Sequence, residues 1–312
     1  MAEIQKIPVI LDGDPGHDDA IAWVLARSSP LLDIKAVTSV CGNQTIEKTT
    51  YNALRICTLI GCHAPFGVGR PRPLVAEPIV VPTVHGKSGL DGPVLPEPDF
   101  EPCGLDAPAL MEKVIEESDV PVTIVPTGPL TNVAALLMTR PDLKSKIARI
   151  SLMGGGIAYG NWTPAAEFNI LVDPEAAKIV YESGIPIYMA GLDVTERALV
   201  FPEDFERIRA VGNKVARVVA DWLEFFYGFH RKLGYPGAPV HDAVAVAALL
   251  KPEIMTFKDL FVQVETAGDY CKGTTVGDWY NVTGKAPNAS CILNIDREAF
   301  VDLLVEAVKT YD

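Results

Sequence analysis

An α/β fold, with an open, mostly parallel sheet flanked by helices and a mainly helical C-terminal part, is predicted from three observations. Short apolar runs alternate with helical stretches over most of the chain. Polar or glycine-containing turns follow the carboxyl ends of those runs. The 312 residues, 48% hydrophobic, continue without a Pro/Ser-rich linker. One large domain, residues 1–312, is therefore expected.

Taken in order, residues 7–11 read as a strand, with Pro8 near its start where a strand tolerates it, and residues 20–26 continue as a helix. Residues 34–40 form the second strand, ended by Gly42-Asn43. Thr45 then serves as N-cap, with Glu47 in the first turn, of a helix running to about residue 61. This βαβα opening implies parallel strands joined by right-handed crossovers. Residues 64–106 are rich in Pro and Gly around His85-Gly86-Lys87-Ser88-Gly89-Leu90-Asp91-Gly92. So long a loop in a compact domain is usually functional, and it reads as a flap over a site.

A helix over 107–117, a strand over 122–125 and a helix over 129–138 follow, so Pro126-Thr127-Gly128 is a strand-to-helix turn on the carboxyl edge, where open α/β sheets bind ligands. The strand 150–153 leads into Gly154-Gly155-Gly156, which is not a dinucleotide fingerprint. The turn beyond it offers Asn161, Trp162, Glu167 and Asn169, groups that suit sugar hydroxyls because those both donate and accept. Asp173 caps a helix over 174–182, and 185–189 returns as a strand before the edge turn 191–195. Helices over 203–210 and 215–232 come next. The second carries an aromatic stripe in which Phe226 and His230, one turn apart, could share a pocket wall. His241-Asp242 opens the apolar helix 243–250, short strand-like runs appear from about residue 257, and a last helix starts at Arg297.

The strongest chemical signal is Asp12-Gly13-Asp14-Pro15-Gly16-His17-Asp18-Asp19, with four carboxylates in eight residues. Asp12 and Asp14, two apart at a strand end, should point to one side, and Asp18 and Asp19 fall in the first helical turn. Two carboxylates ~4 Å apart repel by roughly 4 kcal/mol in a protein interior, so a partly buried cluster needs protons or a cation. Oxygen ligands without nearby Cys or paired His suit Ca²⁺ or Mg²⁺.

The stretch LDGDPGHDDA at residues 11–20 resembles the signature of the inosine-uridine nucleoside hydrolases, calcium-dependent N-ribohydrolases. Further matches follow in order: Cys41-Gly42-Asn43-Gln44, His85-Gly86, Val125-Pro126-Thr127-Gly128, Asn161 to Asn169 and His241-Asp242. The resemblance implies Ca²⁺ held by Asp14, Asp19, the Thr127 carbonyl and Asp242, with a water at an open position. Asp14 would be the base and Asp12 would orient the others. It also implies that Asp18, Asn161, Glu167 and Asn169 bind ribose, that Asn43 lies by the water, and that Met153 packs on the sugar. The leaving base gains negative charge, so a proton donor speeds its departure. His241 leads for that role, with His85 and His230 as alternatives, and His17 is given none. Residues 85–95, 161–174 and 190–195 look closest to the pyrimidine-preferring branch, implying uridine and cytidine.

Two other readings compete. A Mg²⁺-dependent phosphohydrolase would use Asp12 as nucleophile, but Pro15 and Gly16 stand where its usual Thr would follow, and His241-Asp242 would go unexplained. A non-catalytic nucleoside or sugar binder would keep the metal and the amides without needing a base. The formal net charge of −13 argues against nucleic-acid phosphate as partner. No leader pattern or apolar run near ~18 residues is present, so the cytoplasm is expected, with no membrane partner. Six scattered cysteines without a C-x-x-C pair suit reduced, packed thiols. The resemblance further suggests a homo-oligomer, a dimer or tetramer.

Overall fold

The computed structural model describes residues 6–312; the first five residues of the expected domain lie outside the described residues. β1 (Ile7–Gly13), buried beyond its first residue, turns through Asp14-Pro15-Gly16 into α1 (His17–Ser28). Every α1 residue from His17 to Ala26 is buried, so this helix runs through the interior. β2 (Leu32–Ser39) and α2 (Ile46–Leu59) follow. The 64–106 excursion is less irregular than its composition suggested, since it contains β3 (Phe66–Gly67), which pairs with β2, and the single turn α3 (Pro82–His85).

α4 (Ala107–Glu117), capped by the Asp106 carboxylate, leads to β4 (Val122–Pro126) and α5 (Thr131–Thr139). β5 (Ile147–Met153), α6 (Phe168–Val172), α7 (Pro174–Tyr181) and β6 (Ile187–Ala190) complete the alternation. The edge turn that follows closes as the short helix α8 (Leu192–Thr195). Next come β7 (Leu199–Val200), α9 (Pro202–Arg209), α10 (Lys214–His230), β8 (Ala238–Pro239) and α11 (His241–Leu250). The chain ends with β9 (Met255–Leu260), β10 (Val262–Val264), β11 (Thr275–Gly277), β12 (Ala289–Ile295) and α12 (Arg297–Val308).

The main sheet has the order β3-β2-β1-β4-β5-β6-β12-β9 and is parallel except where β9 meets β12. Although the region after β6 is mainly helical, as expected, it returns two strands to this sheet. The strand order reverses between β1 and β4, and ligands in open sheets bind outside the carboxyl ends at such a reversal.

α11 decides which distant residue reaches that point. Its residues Asp242–Ala248 are all buried and apolar after the first turn, as suits a helix packed between α1 and strands β5 and β6. The Ser151 hydroxyl on β5 donates to the Ala245 carbonyl at 2.7 Å. The first turns of α1 and α11 thereby open at the same edge. All six cysteines are free; Cys103 and Cys271 are exposed and depart from the packing expectation, whereas the other four are buried. Among the described residues, no helix is long and apolar enough to cross a membrane.

Candidate active site

At the β1/β4 switch point the acids of the first motif are buried completely or nearly so. Asp12 Oδ1 accepts from Thr38 Oγ1 at 2.7 Å and from Asn132 Nδ2 at 2.8 Å. Asp14 Oδ2 accepts from the Asn43 amide at 2.5 Å. Asp19 Oδ1 accepts from Thr127 Oγ1 at 2.6 Å, and its Oδ2 from the Gly16 amide at 3.0 Å, a contact that also caps α1. The remaining oxygens, Asp12 Oδ2 and Asp14 Oδ1, are buried without a hydrogen-bond partner among the described residues.

Asp18, Asp19 and Asp242 each offer a carboxylate oxygen within 4.8 Å of the others. Burial first, and repulsion from neighbouring acids second, push Asp14 well above the ordinary carboxylate range; the same causes raise Asp18 and Asp242. Asp19 is raised by burial against the pull of its hydrogen bonds, and Asp12 reaches about 7 chiefly through burial. Five buried acids, two with orphaned oxygens, fit a hard divalent cation, whose charge would reverse these shifts. The tightest trio contains Asp18, whereas the resemblance had set Asp14 beside Asp19 and Asp242. Asp18 and Asp19 are consecutive in the first turn of α1, while Asp14 lies on the preceding turn with one oxygen held by Asn43. Gly42 and Gly128 leave it room, because a Cβ at either would collide with its carboxylate.

A cavity of about 390 Å³ opens above the acids, a size suited to a small metabolite. It is lined by Asp18, Asn43, Thr127 and Asp242, by Met153, Asn161, Glu167 and Asn169, and by His85, Phe226, His230 and His241. All the expected substrate residues thus meet here, although they come from elements spread over about 200 positions of the sequence. Asp12, Asp14 and Asp19 lie beneath the lining. Asp12 does not reach the lining, where a phosphohydrolase's nucleophile would have to touch its substrate, whereas a buried base can act through a water.

Asn161, Glu167 and Asn169 are oriented by the backbone around them. Asn161 Oδ1 accepts from the Phe168 amide at 3.0 Å, which leaves its NH₂ free to donate. Asn169 Nδ2 donates to the Thr127 carbonyl at 2.9 Å, which leaves its oxygen free to accept. Glu167 caps α6, taking the Asn169 amide at 2.9 Å and the Gly155 amide at 2.8 Å, and burial lifts it to about 7. Donor, acceptor and carboxylate side by side match the two-way bonding of vicinal hydroxyls.

Burial disfavours charge on the histidines: His230 is lowered to about 4, His241 to about 3 and His85 well below its ordinary value, as is His17 behind the lining, to about 4. His241 Nδ1 meets the Thr195 hydroxyl at 2.8 Å, and His230 Nδ1 meets the Phe226 carbonyl at 3.1 Å. The segment expected as a flap contributes Val81, Val84 and His85 to the lining and is tied to α2, where Asn52 Nδ2 donates to the Ser88 carbonyl at 3.0 Å and Arg55 to those of Leu95 and Pro96.

Several participants escaped the sequence. Thr38 and Asn132 act through the Asp12 carboxylate and Thr195 through the His241 ring, all distant in sequence, and Tyr235 and Glu196, bonded to each other at 2.7 Å in the cavity lining, carry no motif. His17, left without a role, is fully buried and stacked on His85 at 5.3 Å.

Comparison with known proteins agrees with this geometry. The family model described as inosine-uridine preferring nucleoside hydrolase matches residues 9–302. The chain is 56% identical over 308 residues to the pyrimidine-specific ribonucleoside hydrolase RihA of Escherichia coli, covering 98% of this chain and 99% of that protein, and equally to RihA of Shigella flexneri. Among solved structures, a purine-preferring ribonucleoside hydrolase from Gardnerella vaginalis superimposes with a TM-score of 0.91 at 29% identity, covering 97% of this chain and 98% of that one. The plant nucleoside hydrolase PpNRh1 does so with a TM-score of 0.89 at 32% identity, covering 97% and 99%. The chain belongs to the inosine-uridine preferring nucleoside hydrolase family and is a ribonucleoside hydrolase.

Proposed function

We propose that this protein cleaves the N-glycosidic bond of pyrimidine ribonucleosides, uridine and cytidine, to free base and ribose, using Ca²⁺ held by Asp14, Asp19, the Thr127 carbonyl and Asp242. The observation that carries this reading is one cavity lined together by buried acids, by the sugar-matching Asn161, Glu167 and Asn169, and by aromatic and histidine rings. The pyrimidine-specific relatives support the choice of base. When bound, the cation supplies positive charge that keeps these carboxylates ionised and makes a nearby water more acidic.

The chain's own residues do the rest. Asp14, with one oxygen free of donors, takes the proton of the attacking water, while Asp12, held by Thr38 and Asn132, keeps the Asp14 turn in place. Asn43 stands beside that water. Asp18, Asn161, Glu167 and Asn169 bind the ribose hydroxyls, where their oxygens face the positive charge growing at C1 and the ring oxygen. Met153 packs on the sugar, and His85, Phe226 and His230 enclose the base.

His241 serves the departing base. The Thr195 hydroxyl can donate to its Nδ1, which leaves the ring hydrogen on Nε2 toward the cavity. A neutral ring placed so donates a hydrogen bond to the departing base; to hand over a proton it first takes one from solvent at Nδ1, the Thr195 hydroxyl turning to accept, and the base's growing negative charge favours that charged form. His230 is less suited, since its Nδ1 faces a carbonyl and must hold the hydrogen of a neutral ring. We further propose a single domain over 1–312, a cytoplasmic homo-oligomer, dimer or tetramer, and a free nucleoside as the partner, with no nucleic acid or membrane partner.

A product assay across uridine, cytidine, inosine and guanosine, with and without phosphate, tests this. Equimolar base and ribose from the pyrimidine nucleosides, unaffected by phosphate, is the expected result. A requirement for phosphate, or faster cleavage of the purines, would reject it.

A further inference from the structure

We propose that Cys57 and Cys62 are a thiol pair that a peroxide closes into a disulfide within the native fold, stapling the C-terminal end of α2. The end of the helix brings them together. α2 stops at Leu59, Ile60 follows, and Gly61 turns left-handed with φ 60°, the conformation that closes a helix in a Schellman turn. Both backbone bonds of that turn are present: the Cys62 amide donates to the Cys57 carbonyl at 2.8 Å and the Gly61 amide to the Thr58 carbonyl at 3.3 Å. The first bond limits the gap between the cysteines. Fixed covalent geometry on its two sides contributes at most about 3.9 Å, so the two Cα atoms are no more than about 6.7 Å apart. A disulfide spans up to about 6.8 Å. Side chains at these two positions of the turn commonly touch, and here the two thiols are each other's hydrogen-bond partners.

The pair is chemically unequal. The hydrogen bond from the Cys57 thiol, helped by the Ala64 amide and the Arg27 charge, brings Cys62 down to about 7 against the opposing effect of burial. Giving that hydrogen bond, together with burial, pushes Cys57 well above the ordinary thiol range. Cys62 is therefore the nucleophile, because the thiolate is the reactive form. It is also the more open of the two, 5% exposed against 1% for Cys57. The Cys62 thiolate attacks one peroxide oxygen and breaks the O–O bond; Cys62 becomes a sulfenic acid, and the departing oxygen takes up the proton that Cys62 gave up. The Cys57 sulfur then attacks the sulfenic sulfur, and the S–O bond breaks as hydroxide leaves with the Cys57 proton as water. Two thiols have lost two electrons and the peroxide has gained them. The new bond would fix the spacing between two anchors of the 95–99 segment, since Thr58 Oγ1 donates to Asp99 Oδ1 at 2.9 Å and His63 Nε2 lies 3.0 Å from the same oxygen. Neither cysteine lines the cavity, so this chemistry is independent of the nucleoside reading.

Cys103 and Cys271 are exposed and could link molecules together. The test therefore uses full-length protein carrying Cys103→Ser and Cys271→Ser, treated with hydrogen peroxide, alkylated, and digested with trypsin without reduction. One tryptic peptide, starting at Ile56, holds Cys57 and Cys62 and no third cysteine. That peptide is expected unalkylated and two hydrogens lighter, and dithiothreitol should restore it. The oxidised protein should melt about 2–5 °C higher, the scale expected for one short closed loop. With Cys57→Ser added, the sulfenic acid has no thiol to resolve it, so dimedone should trap it on Cys62; with Cys62→Ser added, Cys57 should stay reduced. A peptide alkylated at both cysteines, sulfinic acid on Cys62 in place of the link, or a lower melting temperature after oxidation would overturn the proposal. If either added variant does not fold, the peptide from the protein that keeps both cysteines still decides.

Discussion

Replacing Asp242 by Asn should make the chelated protein more stable and the calcium-treated protein less so. The oxygens of Asp18, Asp19 and Asp242 lie within 4.8 Å of one another. At an effective dielectric near 20, each ionised pair at that distance repels by ~3.5 kcal/mol, so three pairs sum to about 10 kcal/mol, comparable to the whole stability of a typical domain. Without a cation the cluster must therefore hold protons at neutral pH. Asp242→Asn removes two of the three pairs; since protons already relieve much of the repulsion, a net gain of about 1–3 kcal/mol is expected in EGTA. With Ca²⁺ at 100 times its dissociation constant the native protein gains ~2.7 kcal/mol, which the variant lacks.

Thermal unfolding in EGTA and in Ca²⁺, from pH 5 to 8, reads both effects. The folded values of Asp14, Asp18, Asp19 and Asp242 are raised. Their contribution to stability is therefore complete below the ordinary carboxylate value and is lost as pH rises through the folded values. Asp12 and Glu167, raised to about 7, extend the loss toward neutrality. The chelated native protein should lose stability with rising pH relative to the calcium-loaded protein, and Asp242→Asn should flatten that difference. A variant that is less stable than native protein in EGTA, or that responds to Ca²⁺ as native protein does, would refute the repulsive-cluster reasoning.

Other expectations concern single residues. Asp14→Asn should abolish turnover while uridine binding, measured by calorimetry, persists; a protein that never turned over would lose nothing, and an active variant would remove Asp14 as base. His241→Ala should lower kcat with uridine by about 10²–10⁴, and much less with an aryl riboside whose leaving group needs no proton, so equal losses on both would reject the donor role. Asn132→Ala strips a donor from the buried Asp12 carboxylate and from the Ser39 carbonyl. It should cost about 2–4 kcal/mol in urea unfolding. A change below about 0.5 kcal/mol would show that this pairing does not hold the strand ends together.

The parallel character of the sheet was legible because strands alternated with helices, and the site's edge because each turn on the carboxyl side carried its own signature residues; the strand order was not. Asp14, Asp18 and Asp19 could be grouped from spacing alone, as neighbours on one strand-to-helix turn. Asp242 was harder, since its position depends on α11 packing against α1, and only the family resemblance pointed to it. β12 was seen merely as a short strand-like run: its seven residues show no clean alternation of burial, and its pairing with β6 and β9 is one that no local pattern announces. His17 shows the opposite limit. It stands inside the best-recognised motif, yet its partners His85 and Asp91 lie 68 and 74 residues away, so no spacing rule could give it a role.

The most direct measurement of the central claim is a crystal of the calcium-soaked protein read by anomalous scattering. A peak is expected about 2.3–2.6 Å from oxygens of Asp14, Asp19, Asp242 and the Thr127 carbonyl. If no ion sat among these residues while the same soaked protein cleaved uridine and went on doing so after verified chelation, the account would be contradicted.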